Sequence, residues 1–146
     1  MTANKILKLI KEKEIEYVDL RFTDPKGKLQ HVTMDKGVVD EQMLNEGIFF
    51  DGSSIAGWKA INESDMILKP DVNKEIIDPF TSHNTLILFC DVMDAVKKTP
   101  YERDPRSTAK KAEEYLKKSN IGDKAYFGPE AEFFVFDDVK FKNDMN

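Results

Sequence analysis

The tetrapeptide Asp24-Pro25-Lys26-Gly27 separates two stretches whose apolar residues recur at every second position, and that arrangement commits this part of the chain to a hairpin. Before it, Val18, Leu20 and Phe22 share one face of a strand over residues 16–23, with Tyr17, Asp19 and Arg21 on the other. Pro25 sets φ at the first corner, Gly27 supplies the position a hairpin bulge needs, and residues 28–34 return as the second strand. Ahead of the hairpin, Ala3, Ile6, Leu7 and Ile10 form one stripe of an amphipathic helix over residues 2–13, with Thr2 as its cap. Beyond it, Asp40 caps a short helix through Leu44, which Gly47 ends. Residues 66–68, 74–77 and 85–92 read as three further short strands. The last holds the continuous apolar run Leu86 to Cys90, which suits a central, fully buried strand. A hairpin, a short helix and returning strands are the parts of a small α+β domain. His31, alone in its strand, reads as a surface histidine and receives no role.

Residues 94–104 form a polar connector with Lys97, Lys98 and Pro100, the best domain boundary in the chain. Asp104-Pro105 then opens a helix with an acid at the cap and proline at its first position. Ala109, Ala112, Tyr115 and Leu116 make its expected buried face. Glu113 and Glu114 precede Lys117 and Lys118 by one turn, and Asn120 or Gly122 stops the helix.

The 22 basic and 27 acidic residues give a net charge of −5 and are interspersed, so no nucleic-acid or anionic-lipid partner is expected. The single cysteine, Cys90, excludes an internal disulfide and, inside an apolar run, fits a reducing compartment. No apolar run reaches signal-peptide or membrane length, so the expectation is a cytoplasmic protein without an anchor.

Two stretches carry chemistry. The first is FFDGSSIAGWKAINESDMIL, residues 49–68, in which Gly52 and Gly57 free the backbone and Asp51, Ser53 and Ser54 place short donors and acceptors beside it. Taken alone, Asp-Gly-Ser-Ser is an ordinary surface turn. Phe49, Phe50, Ile55, Trp58 and Ile61, however, give this loop more apolar surface than water alone would face, so something packs on it. Glu63 and Asp65 form a second acidic cluster. The other stretch is Gly128-Pro129-Glu130-Ala131-Glu132-Phe133-Phe134-Val135-Phe136. On a strand, Glu130 and Glu132 would share one face with Cα atoms roughly 7 Å apart. Like charges running into apolar residues need a compensating cation, and hard divalent ions such as Mg²⁺ or Mn²⁺ prefer carboxylate oxygens. The plainer reading is an exposed sheet face.

The order Asp51-Gly52-Ser53-Ser54, then Trp58, then Glu63-Ser64-Asp65 before an aliphatic pair resembles the N-terminal signature of glutamine synthetases of the bacterial type I form. Tyr101-Glu102-Arg103-Asp104-Pro105-Arg106 and the strand with Glu130 and Glu132 are likewise similar to that family. The resemblance runs from the first helix to about Phe136; residues 140–146 match nothing assignable.

The resemblance implies a β-grasp fold, which composition alone does not separate from a ferredoxin-like one. It divides the chain into an N-terminal helix (1–13), a small β-grasp, ubiquitin-like domain (14–98), and the first helix and strand of a truncated α+β catalytic domain (99–146). The implied parent activity is ATP-dependent ligation of ammonia to L-glutamate, with ATP as co-substrate and two Mg²⁺ or Mn²⁺ sites. By the resemblance, Glu130 and Glu132 are metal ligands. Asp51, assisted by Ser54, serves the ammonium site of an adjacent subunit in a homo-oligomeric ring, a dodecamer in the parent. Other metal ligands, the glutamate-binding residues and most of the nucleotide site are expected beyond residue 146, so this portion alone is expected to be inactive. The alternatives are a ligase joining glutamate to another amine, and a non-catalytic assembly module.

Overall fold

A computed structural model describes residues 2–58 and 64–143. Its elements are helix α1 (Ala3–Glu12), strands β1 (Tyr17–Thr23) and β2 (Leu29–Asp35), helix α2 (Glu41–Glu46), strands β3 (Ile48–Asp51), β4 (Asp65–Ile77) and β5 (Thr85–Asp94), and helix α3 (Pro105–Ser119). The five strands make one sheet in the order β2-β1-β5-β4-β3. Strands β1 and β5 run parallel and every other pair antiparallel. The fold is α+β: a β-grasp sheet followed by a helix.

The hairpin forms where the turn sequence puts it, and Asp24 holds it. Its Oδ1 accepts the amides of Lys26 and Lys28, both at 2.9 Å, and its Oδ2 accepts the Gln30 side-chain amide at 3.0 Å. Strand β5 is the centre of the sheet, and Leu86, Leu88 and Val92 are wholly buried, as the apolar run requires. The buried face of α1 consists of Ala3, Ile6 and Ile10, which join Val18, Leu20 and Phe22 of β1 in one core. The Asp40 side chain caps α2 by accepting the Met43 amide at 2.7 Å. Gly47 follows with φ +87°, and a Cβ there would collide with the Leu68 carbonyl, so only glycine lets β3 pair with β4 immediately after the helix.

Several expectations are corrected. Residues 66–68 and 74–77 belong to one strand, β4, whose register on β5 breaks between Pro70 and Glu75. Proline brings no N–H to the ladder, and the chain absorbs the lost bond as an irregularity rather than as a turn. Phe49, Phe50 and Asp51 lie on β3, not in a loop, because Phe50 faces Met66 and Asp51 faces Asp65 across an antiparallel ladder. Thr2 makes no side-chain cap; its carbonyl instead accepts the Lys5 amide at 2.9 Å. The expected buried face of α3 is open, with Ala109 and Ala112 exposed, Tyr115 exposed and Leu116 half-buried, since α3 meets the sheet only through its first turns. Asn120, left-handed at φ 56°, ends that helix. Residues 125–136 form no strand: no described strand lies alongside to complete a ladder, and an unpaired extended segment leaves its amides to water. No helix among the described residues is long and apolar enough to cross a membrane.

The outer face of the sheet carries a polar network. Asp19, almost wholly buried, accepts Arg21 Nε at 2.7 Å and the Thr33 hydroxyl at 2.8 Å, and it lies 2.8 Å from His31 Nδ1. Arg21 reaches on to Asp78 at 2.7 Å. Burial alone would raise the Asp19 carboxyl, but the bonds from Arg21, His31 and Thr33 outweigh it and hold the group below the usual carboxylate range. His31 is thus a hydrogen-bonded surface residue, without a ligand's surroundings.

Candidate functional site

Asp51 ends β3, and its side chain caps the short 3₁₀ turn Gly52–Ser54. Its Oδ1 accepts the Ser53 amide at 2.8 Å and the Ser53 hydroxyl at 2.6 Å. Those two bonds, the hydroxyl first, lower the Asp51 carboxyl, and the Ser54 and Ser64 hydroxyls add to them. The carboxylate is therefore charged across the ordinary pH range while remaining exposed. Ser54 is exposed beside it, and Ser53 is half-buried. The turn is fixed from behind: the Gly52 amide donates to the Ser64 carbonyl at 2.7 Å. A Cβ on Gly52 would run into the Met66 side chain, so the close approach of this turn to β4 requires glycine.

The apolar underside of the loop has a definite home. Ile55 and Trp58 are buried in the core. The Trp58 ring sits among Phe22, Phe50 and Tyr101 at centroid distances of 5.6, 6.1 and 5.7 Å. Phe49 points the other way and stays exposed, with the Lys98 ammonium 5.1 Å from its ring centre. Ile61 and Glu63 lie outside the described residues, and Asp65, the other member of that acidic cluster, is exposed at the start of β4.

The connector beyond β5 grips this loop, which sequence reasoning did not anticipate. The Tyr101 hydroxyl donates to the Trp58 carbonyl at 2.9 Å in a buried position, and Arg103 Nη1 donates to the Gly57 carbonyl at 2.8 Å. In the sequence, Tyr101 and Arg103 belong to a segment that reads as a capped helix start and is similar to the family, and nothing in their local pattern points 43 and 46 residues upstream. The connector is itself tied down, with the Tyr101 amide on the Val92 carbonyl at 2.9 Å and the Asp104 amide on the Tyr101 carbonyl at 3.2 Å.

Glu130 and Glu132 stand exposed on irregular backbone rather than side by side on a strand. Among the described residues no three His, Cys, Asp or Glu side chains gather so as to hold a metal ion. Two carboxylates would leave most of an octahedral shell to water, so these residues do not by themselves fit a metal centre.

A mixed five-stranded sheet of this order, followed by a capped helix, defines the class as a β-grasp domain leading into a further unit. Residues 14–95 match the family described as glutamine synthetase, beta-Grasp domain, and residues 102–146 match glutamine synthetase, catalytic domain. The chain belongs to the glutamine synthetase family. It is 64% identical over 143 residues to a glutamine synthetase of Rhizobium meliloti (strain 1021), covering 98% of this chain and 30% of that protein. It is 61% identical over 143 residues to that of Azorhizobium caulinodans, again covering 98% of this chain and 30% of the relative. Among solved structures, a Plasmodium falciparum glutamine synthetase superposes with TM-score 0.76 at 25% identity, over 85% of this chain and 24% of the other. The chain thus spans about 30% of the length of the curated relatives it matches.

Proposed function

We propose that this chain supplies the first part of a glutamate–ammonia ligase, which joins L-glutamate and ammonia with conversion of ATP to ADP and phosphate. The reading is carried by the 64% identity with the Rhizobium meliloti enzyme, over a span that includes the Asp51 loop. In this reading the γ-carboxylate of glutamate takes the terminal phosphoryl group of ATP, releasing ADP. Ammonia then attacks the acyl carbon, a C–N bond forms, and phosphate leaves. Ammonium is the abundant species at neutral pH and must lose a proton before its nitrogen can attack. Asp51 suits the capture of that cation, because an exposed, ionised carboxylate attracts it and Ser54 beside it offers a further oxygen. Once the cation is bound, the same carboxylate accepts its proton.

Glu130 and Glu132 are proposed to join other ligands around Mg²⁺ or Mn²⁺, whose chemistry there is to neutralise phosphate charge. The proposal extends to a cytoplasmic homo-oligomeric ring, a dodecamer, in which Asp51 faces a neighbour's active site. It also includes a division into an N-terminal helix (1–13), a β-grasp domain (14–98) and the start of a catalytic domain (99–146). The 146-residue chain alone is expected to make no glutamine.

The test is product analysis with the full-length protein supplied with glutamate, ATP and either ammonium or a primary amine. Glutamine formed with ammonium is the expected result. Turnover only with the amine would replace this reading by the related ligase, and turnover with neither would leave an assembly module.

A further inference from the structure

Two consecutive carbonyls of the central loop, Gly57 and Trp58, are held by donors from one short segment, Arg103 and Tyr101. The indole Nε1 of Trp58 is buried without an acceptor among the described residues, so the tryptophan is held at this end by its main chain rather than by its ring nitrogen. The donating segment does not drift. Tyr101 is bonded to β5 through the Val92 carbonyl, and Asp104 accepts the Val92 amide at 3.4 Å while capping α3. The loop is anchored at its other end by the Gly52 amide on Ser64. Asp51 and Ser54 lie between or beside these anchors, on a turn that the Asp51 side chain caps through Ser53 and that reaches β4 through Gly52.

We propose that Tyr101 and Arg103 are positioning residues, which latch the 52–58 loop to the connector and thereby set where Asp51 and Ser54 stand for ammonium. The link to ammonium rests on the function proposed above; the latch itself does not. Both donors lie on the segment between the sheet and α3, so the position that β5 gives this segment is passed to the Asp51 loop through two hydrogen bonds. Tyr101 supplies a short, ring-buttressed bond from within the aromatic cluster. Arg103 supplies a charge-assisted bond from the exposed side.

The experiment has two arms. Trp58 is the only tryptophan of this chain, so its emission and acrylamide quenching report the loop directly. Tyr101→Phe removes one hydroxyl and keeps the ring, and Arg103→Met removes the donor and keeps the length. Each is expected to increase quenching, by about twofold where a local opening becomes populated, with the far-UV spectrum unchanged. Arg103→Lys keeps a donor and is expected to restore most of the wild-type protection. Unchanged quenching in both variants would overturn the latch.

In the full-length enzyme, the same two variants are expected to raise the KM for ammonium roughly fivefold, as loss of one hydrogen bond would, and to leave the KM for ATP within a factor of about two. A parallel rise of both constants would make the two residues merely structural and overturn the positioning role, as would an unchanged KM for ammonium. A full-length protein with no ammonium-dependent turnover would defeat the proposed function instead, and the quenching arm would still decide the latch.

Discussion

Asp104 accepts the backbone amide of Val92, 12 residues earlier, and so bonds the start of α3 to the end of the central strand. The same carboxylate accepts the Arg106 amide at 3.2 Å, the Ser107 amide at 3.0 Å and the Ser107 hydroxyl at 2.7 Å. It is wholly buried, so each of these bonds replaces one to water. Arg106 adds ion pairs to Asp91, at 2.8 Å, and to Asp71. This joint, rather than the apolar face of α3, holds the helix to the sheet.

The first prediction concerns that joint. Asp104→Ala removes a helix cap and orphans the buried Val92 amide, at a cost of about 2–3 kcal/mol. Asp104→Asn keeps an acceptor oxygen and should cost less than half as much. Denaturant titration reads both, and hydrogen exchange at Arg106 and Ser107 should accelerate first. An alanine variant as stable as the wild type would mean that the cap carries little of the joint.

A second prediction follows from Asp19. Its carboxyl is lowered in the folded protein, so the unfolded chain binds a proton more readily. The stability it contributes is therefore complete above the ordinary carboxylate value near 3.8 and fades as pH falls below that toward the lowered folded value. Asp19→Asn should cost about 2 kcal/mol at neutral pH, where it weakens a charge-assisted network. That difference should shrink at pH values below about 4. Urea midpoints of the two proteins across this range measure it, and a gap that widened in acid would contradict the sign.

The subunit assignment of Asp51 makes a third. In the full-length enzyme, Asp51→Asn should impair ammonium use and Glu130→Ala metal binding, leaving both homo-oligomers poorly active. If Asp51 serves a neighbour, random co-assembly of the two variants joins intact partners at roughly a quarter of the sites. Activity should then rise well above the mean of the two preparations. Proven co-assembly without that rise would place Asp51 within its own chain's site or outside catalysis.

The fourth concerns exposed aromatic surface. Phe133, Phe134 and Val135 are 83%, 87% and 85% exposed, and Tyr126, Phe127 and Phe141 are as open. Apolar surface of this extent drives association. The 146-residue chain is expected to self-associate, and Phe133→Ser with Phe134→Ser should reduce it without altering the β-grasp core. Sedimentation at several dilutions checks this; a wild-type chain that stays monomeric throughout would refute it.

The sequence by itself determined what local physics governs. The Asp24-Pro25-Lys26-Gly27 turn, the period-two faces of β1 and the caps at Asp40 and Asp104 form as read, because each depends mainly on neighbours a few residues away. The central strand at Leu86–Cys90 was legible in its apolar run, although its ladders to β1 and β4 are tertiary. The order Asp-Gly-Ser-Ser with Trp58 also marked the family. The tertiary structure alone decided what depends on partners distant in sequence. Pro70 does not break β4 because β5 pairs on both sides of it. Phe50 and Asp51 become strand because Met66 and Asp65 lie opposite. The strand expected at 125–136 does not form because a ladder needs a second strand beside it. Tyr101 and Arg103 become the loop's anchors for the same reason: a hydroxyl and a guanidinium acquire a purpose only when folding brings the Trp58 and Gly57 carbonyls within about 3 Å, and no local pattern encodes that distance.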